Sequence, residues 1–288
     1  MDCKNYLREL LLSGIYMLGI LGIVASGGGG GGSDDASVSF PTPTLPANAI
    51  VITHPMGNAK TVAESAILFA SATSGGTLKT EEPPTVLEIA KQAADHLVKR
   101  ARELSSVATG KTEDLSSIFC FNFPAGSAIA NYTETANSLS GVITYTNCEF
   151  FADLFVDGNT SIIFNFNDVT GDYSQQLGGT LIIDYLGDIA TVVSNVSESG
   201  NDFSGAFSTT LSFSVTGIPE GPYLVTTSQP LTGNFFSIVD GELIVTGGID
   251  MGPGNTRLRL DVVPGDQVDI YFDAGDGMEM YVDFISLI

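Results

Sequence analysis

The acidic turn near the C-terminus is the first place where residue types and spacing could do chemistry. Asp273, Asp276 and Glu279 surround Gly275 and Gly277. Hard cations such as Ca²⁺ take carboxylate oxygens, and glycine permits the sharp turn that would gather them. The spacing departs from an EF-hand loop, because glycine occupies the third position. A calcium site and a solvated hairpin turn are therefore both open interpretations of this segment.

Two of the three cysteines could form a disulfide bond. Cys3 lies in an N-terminal segment that is expected to be removed, which leaves Cys120 and Cys148. In an oxidising compartment these two are expected to pair, and closing a loop of this size stabilises a fold by about 3 to 4 kcal/mol. Two free buried thiols are the alternative. Metal ligation is disfavoured because no histidine lies near them in the sequence.

No residue set in the sequence favours catalysis. Asp261, Asp269 and Asp283 could serve a glycosidase as paired carboxylates, but strand alternation predicts that they face solvent. His54 and His96 have no serine and aspartate partners that the sequence identifies. The chain is therefore predicted not to be an enzyme.

Composition limits the classes of function. The 288 residues carry a formal charge of −22, yet 43% are hydrophobic and 15% are charged, so the chain can bury a core and is not a disordered acidic tail. Such acidity argues against nucleic-acid binding. The charge is concentrated in residues 112–288, whose only cations are Arg257 and Arg259. This acidity favours either adaptation to a salty or calcium-rich exterior, or a surface for cations or a basic partner.

The N-terminus reads as an export signal and a tether. Lys4 and Arg8 precede an uncharged apolar run from Leu10 to Ala25, which is shorter than the roughly 20 residues of a spanning helix. Residues 1–26 are therefore predicted to be a signal peptide, with an uncleaved anchor as the alternative and the only expected membrane contact. Six glycines and a proline-spaced stretch follow, and they predict a flexible tether over residues 27–57.

A signal peptide that runs directly into polyglycine resembles the N-termini of uncharacterised proteobacterial envelope lipoproteins. In those proteins a lipidated cysteine precedes the glycines, whereas Ser26 stands at that place here. A hydroxyl cannot form the thioether to the lipid, so the resemblance does not carry the anchor over. Further segments that resemble that family are Thr146-Asn147-Cys148 with an upstream cysteine like Cys120, and 241–247, 257–260 and 273–277. The resemblance implies architecture and an envelope location, and no chemistry.

Helical periodicity covers residues 58–111. Thr85 to Glu88 form a capping box, and apolar residues then recur every three or four positions, which predicts an amphipathic helix over 85–107. A second helix is predicted over 59–71, with a stripe composed largely of alanine.

From residue 112 to 288 the apolar period becomes two, as in Phe207 to Val215. Turn signals separate the alternating runs, including Asp157-Gly158-Asn159, Gly178-Gly179 and Asp240-Gly241. Short turns require antiparallel pairing. The fold is therefore predicted to be mainly β, an antiparallel meander of about ten strands that forms a curved sheet or barrel, preceded by one or two helices.

The expected function is that of an exported, non-catalytic envelope protein in the periplasm, at the cell surface or outside the cell. It would bind an apolar ligand, such as a lipid, in a cavity between sheet and helix, with Phe164, Phe166, Phe207 and Phe213 lining that cavity. The alternative is a surface structural or adhesion module whose acidic face contacts cations or an envelope partner. No cofactor is expected other than the calcium considered above.

Overall fold

The structure is a computed structural model that describes residues 38–54, 57–71, 97, 109–135, 137–234, 237–250, 252–264 and 267–286. These residues form two helices, α1 (Ala59–Ser71) and α2 (Ser116–Phe119). The twelve strands within them are β1 (Thr109–Asp114), β2 (Ser127–Glu134), β3 (Ser138–Phe151), β4 (Leu154–Phe166), β5 (Asp172–Tyr185), β6 (Asp188–Asn201), β7 (Phe207–Thr216), β8 (Tyr223–Asn234), β9 (Ser237–Ile249), β10 (Asn255–Val263), β11 (Gln267–Asp273) and β12 (Glu279–Ser286).

The predicted antiparallel meander is confirmed. Each strand pairs with the next one in the sequence, so the sheet order is the chain order from β1 to β12. The sheet is curved and unclosed, with β1 and β12 as its edges. The described residues form twelve strands, where about ten were expected. β1 begins three residues before the expected domain boundary at 112, because pairing with β2 and not an apolar pattern makes it a strand.

Two strands are longer than predicted, because glycine-containing segments that were expected to form turns lie inside them. Asp157-Gly158-Asn159 lies within β4, and Gly178-Gly179 lies within β5. At these positions glycine permits close contact between neighbouring backbones. A side chain at Gly178 would meet the backbone of Asn195 in β6, at 3.0 Å from its Cα atom.

One face of the sheet is buried in a single apolar core. In β7, Phe207, Leu211, Phe213 and Val215 are buried, as their alternation predicts. The predicted alternation of buried and exposed residues fails in β12, because a bulge shifts its register with β11 between Ile270 and Tyr271. Because a bulge reverses the faces of the residues beyond it, Asp283 lies opposite buried Ile270 and does not follow the predicted solvent-facing alternation.

Residues 38–54 are held along the sheet, which differs from the tether predicted for this part of 27–57. Pro43 is buried, and Phe40 lies against Gly178 of β5. The backbone of Ile50 joins the ends of two strands, since its amide donates to the carbonyl of Pro222 (2.7 Å) and its carbonyl accepts from Gly248 of β9 (2.6 Å). Proline spacing in the sequence indicates a stiff segment, but packing decides whether that segment is free.

Thr256 fixes the same segment from the buried side. Its hydroxyl donates to the carbonyl of Gly248 (2.9 Å) and accepts from the amide of Ile52 (3.0 Å). Both Ile52 and Thr256 are fully buried. The segment is therefore part of the fold, because it supplies hydrogen bonds that these buried polar groups require.

The helix predicted over 59–71 is confirmed as α1, which packs on β10, β11 and β12. Its small residues Ala59, Ala63, Ala66 and Ala70 are buried, which allows a close approach to the sheet. Lys60 pairs with Asp283 at 2.7 Å.

The helix predicted over 85–107 lies outside the described residues, apart from Leu97, which is helical and buried. Residues 1–37 also lie outside them. Among the residues that the structure describes, no helix is long and apolar enough to cross a membrane.

Replacing Gly247 with alanine is expected to destabilise the fold. The new Cβ would meet the carbonyl oxygen of Ile50 and lie 2.8 Å from both Ile52 Cγ1 and Thr256 Oγ1, so the docked segment must move. We expect the free energy of unfolding to fall by about 2 kcal/mol. Gly110→Ala is the control, because nothing lies within 4 Å of its Cβ position. Equal urea midpoints for the two variants would show that residues 49–52 do not support the sheet.

Candidate functional site

The predicted disulfide bond between Cys120 and Cys148 is present. Cys120 directly follows α2 and Cys148 lies in β3, so the bond ties the β1–β2 connection to the third strand. The two Cα atoms are 4.9 Å apart. The alternatives of free thiols and metal ligation do not apply.

Hydrogen bonds reinforce this attachment. The amide of Phe121 donates to the carbonyl of Glu149 (2.7 Å). The side chain of Asn122 donates to the carbonyl of Asn147 (2.8 Å) and accepts from the amide of Glu149 (3.1 Å). The β1–β2 connection is thus held against β3 by one covalent bond and three hydrogen bonds.

This braced connection exposes apolar side chains. Ile118 is 55% exposed, Phe121 72% and Phe123 51%. Exposed single apolar residues are common, but three within six positions of one fixed connection form a patch. The sequence alone did not indicate it, because these residues belong to no alternating pattern.

Two neighbouring connections continue the patch. The amide of Asp153, between β3 and β4, donates to the carboxylate of Glu149 (3.1 Å), and the amide of Leu186, between β5 and β6, lies 3.4 Å from the carbonyl of Asp153. Leu186 and Ile189 are 55% and 58% exposed. In a meander the connections after β1, β3 and β5 all lie at the same end of the sheet, so the three are adjacent.

Acidic side chains are interleaved with these apolar ones. Ile189 lies directly opposite Asp184, and Ile182 lies directly opposite Asp157. We call this surface the acidic rim, and it consists of Ile118, Phe121, Phe123, Asp153, Asp157, Ile182, Asp184, Leu186, Asp188 and Ile189. The cations among the described residues are Lys60, Lys111, Arg257 and Arg259, and they lie on α1, β1 and β10.

The residues predicted to bind calcium have other partners. One carboxylate oxygen of Asp273 accepts the amides of Gly275, Asp276 and Gly277 at 2.7 to 3.1 Å, which closes the β11–β12 turn. Glu279 pairs with Arg259 at 2.7 Å. Within the described part of the chain, no group of three or more His, Cys, Asp or Glu side chains could hold a metal ion.

The four phenylalanines predicted to line a cavity are all buried in the core. Phe164 packs against Phe166 and Tyr173, with ring centroids 5.6 and 6.2 Å apart. Phe207 and Phe213 are also buried. Their role in ligand binding stays a prediction. His54 lies beside Phe272, with 6.0 Å between ring centroids, and His96 lies outside the described residues.

Asp261 and Asp269 lie on the outer face of the sheet, as predicted, but the sequence did not indicate that they form a carboxylate row with Glu242. Glu242, Asp261 and Asp269 lie directly opposite one another on β9, β10 and β11. Like charges in this arrangement are destabilising. Arg259 compensates, because it pairs with Glu242, Asp261 and Glu279 and stacks 4.0 Å above the Tyr271 ring. Register brings these charges together, and strand sequences alone do not specify it.

Asp261 is the most constrained member of this row. Its Oδ1 atom is buried without a hydrogen-bond partner. Burial raises the pKa of Asp261, Arg259 opposes that rise, and Glu242 adds to it. A carboxyl group with a raised pKa contributes most to stability at low pH, and that contribution is lost as the pH rises through the raised value.

Replacing Arg259 with glutamine is expected to make stability strongly pH-dependent. Without the guanidinium the pKa of Asp261 rises further, so the loss should be about 2 kcal/mol at pH 7 and small near pH 4. Urea unfolding at several pH values measures this. Arg257→Gln is the matched control, because Arg257 is exposed and should lose little at either pH. A pH-independent loss in Arg259→Gln would contradict the assignment.

No protein-family model matches this chain, and neither a curated protein nor a solved structure matches it. The resemblance to polyglycine envelope lipoproteins stays a prediction. Function is therefore argued from the geometry described above.

Proposed function

We propose that this protein is an exported, non-catalytic envelope module that acts by docking a partner on its acidic rim. The observation that carries this proposal is the set of exposed apolar side chains held on a disulfide-braced connection, next to acids that form no ion pair with a described cation. This develops the structural or adhesion alternative drawn from the sequence.

Rigidity supports a binding role for the rim. Ile118 and Phe123 sit on a connection that the disulfide and the Asn122 hydrogen bonds hold in place. A preformed surface loses little conformational entropy when a partner binds. Apolar side chains that are exposed to water in the free protein can thus contribute the free energy of their burial when a complex forms.

Charge indicates the partner's chemistry. None of the described ion pairs involves Asp153, Asp157, Asp184 or Asp188. A partner that brings lysine or arginine together with apolar side chains would satisfy both features of the rim. Complementary charge would also speed the encounter and make it sensitive to salt.

Export is supported by the signal-like residues 1–26 and by the disulfide bond, since such bonds persist in oxidising compartments.

An apolar-ligand carrier is the second candidate, and two buried hydroxyls favour it. Tyr145 and Thr160 are each 2% exposed, and their hydroxyls neighbour each other and have no other hydrogen-bond partner in the described part of the chain. Such an isolated polar pair within an apolar core could anchor the polar end of a lipid-like ligand. Mass spectrometry of small molecules extracted from protein purified from its native host tests this role.

Matched double variants test the rim. Asp188→Asn with Ile189→Thr alters one end of the β5–β6 hairpin, and Asp168→Asn with Val169→Thr makes the same changes at the opposite end of β5, where Val169 is 88% exposed. A peptide of alternating lysine and leucine serves as the probe. We expect the rim variant to bind it about tenfold more weakly, and the control to bind like the unchanged protein.

A photo-crosslinking residue at position 189 or 169, introduced in the native host, provides the cellular readout. The expected result is an adduct with a basic protein at position 189 alone. Equal peptide affinities for both double variants, or the same adducts at both positions, would refute docking at the rim.

A further inference from the structure

The two edges of the sheet differ in chemistry. β1 has the polar sequence Thr-Gly-Lys-Thr-Glu-Asp, which suits an edge that must stay unpaired. β12 instead exposes Met280, Tyr281 and Phe284, which are 52%, 52% and 48% exposed, and Met278 just before it is 75% exposed. An exposed apolar edge strand is a template for pairing with another strand.

Each carboxylate of β12 has a cation partner within the chain. Asp283 pairs with Lys60 of α1, and Glu279 pairs with Arg259 of β10, each at 2.7 Å. Arg259 also pairs with Glu242 and Asp261, so its positive charge is shared among three carboxylates. In a protein with a formal charge of −22, β12 is therefore an apolar strand whose own acids are both paired.

Among the strands that the structure describes, β12 pairs only with β11, which leaves one side of its backbone without a strand partner there. Its residues Glu279–Ser286 would extend about 27 Å, which is long enough for a continuous ladder. The amide of Phe284 donates to the side chain of Asp283 (2.9 Å).

We infer that β12 pairs antiparallel with β12 of a second copy, which joins the two sheets edge to edge in a twofold dimer. The same strand is offered by both copies, so the contact is self-complementary and closed. Charge favours a second copy at this place, because two strongly acidic molecules repel elsewhere but meet here on strands whose acids are already paired.

Both faces of the joined strands would gain apolar contacts. Phe284 lies opposite Asp269 of the outer carboxylate row, whereas Ile285 lies opposite buried Val268, so the apolar side chains of β12 extend to both faces of the sheet. A cross-strand neighbour on the open side would cover them.

Light scattering on the eluting protein, across a wide concentration range, tests the inference. We expect twice the chain mass for the unchanged protein. Phe284→Lys places charge on the edge and should weaken dimerisation at least tenfold, whereas Val169→Lys adds the same charge to an exposed turn and should not. Far-ultraviolet circular dichroism confirms that both variants remain folded.

The role of the ion pair between Lys60 and Asp283 is tested separately. Lys60→Gln leaves Asp283 unpaired in both copies, so dimerisation should weaken several-fold in low salt and recover near 0.5 M NaCl, where the charges are screened. Arg257→Gln makes the same change in net charge away from β12 and is the control. Salt should strengthen the dimer of the unchanged protein, because it screens repulsion between the copies.

A monomer at every concentration and salt level would overturn the inference. So would equal dimerisation of the Phe284→Lys and Val169→Lys variants, or a different protein bound along β12 while the purified chain stays monomeric. A chain that stays monomeric while the rim variant loses peptide binding would overturn the dimer alone, and a dimer that forms while the rim variant keeps its peptide binding would refute the rim alone.

Discussion

A single sheet of twelve described strands must bury one apolar face, and the placement of the other elements follows from that requirement. A sheet cannot bury a face without a second layer. In the described residues that layer includes α1, whose alanine-rich face packs on β10, β11 and β12, and the buried Leu97. The segment before α1 adds to this layer, and hydrogen bonds through Thr256 and Ile50 fix it to the strand ends. Segments that look like a tether in the sequence thus become structural.

The same constraint distributes the charges. Because one face is apolar, acidic residues collect on the other face, at the strand ends and at the turns. The row of Glu242, Asp261 and Asp269 shows the cost, since register sets like charges opposite one another and Arg259 must compensate. Because the described residues include only four Lys and Arg side chains, the position of each one affects the local charge. Two of these cations pair with the acids of β12, whereas none of the four lies on the acidic rim.

These charge placements separate two surfaces with different uses. The rim combines fixed apolar side chains with acids that pair with none of the described cations, which suits a basic partner. The edge at β12 combines apolar side chains with paired acids, which suits a second acidic copy. The disulfide bond serves the first surface, because it fixes the connection that carries Ile118 and Phe123. The proposed docking role and the proposed dimer therefore use different parts of the chain and do not compete.

Alternation, short turns and cysteine count are local signals, and from them the fold class, the antiparallel connectivity, the extent of α1 and the pairing of Cys120 with Cys148 could be predicted. The faces of β12, the position of residues 38–54 and the partners of Glu279 and Asp283 could not be predicted and emerge in the folded chain. A single bulge changed the faces of β12, and packing against glycines fixed residues 38–54. Contacts between residues distant in the sequence set the ion pairs of Glu279 and Asp283. Such features depend on register and close packing between strands, and residue types along one strand do not specify them.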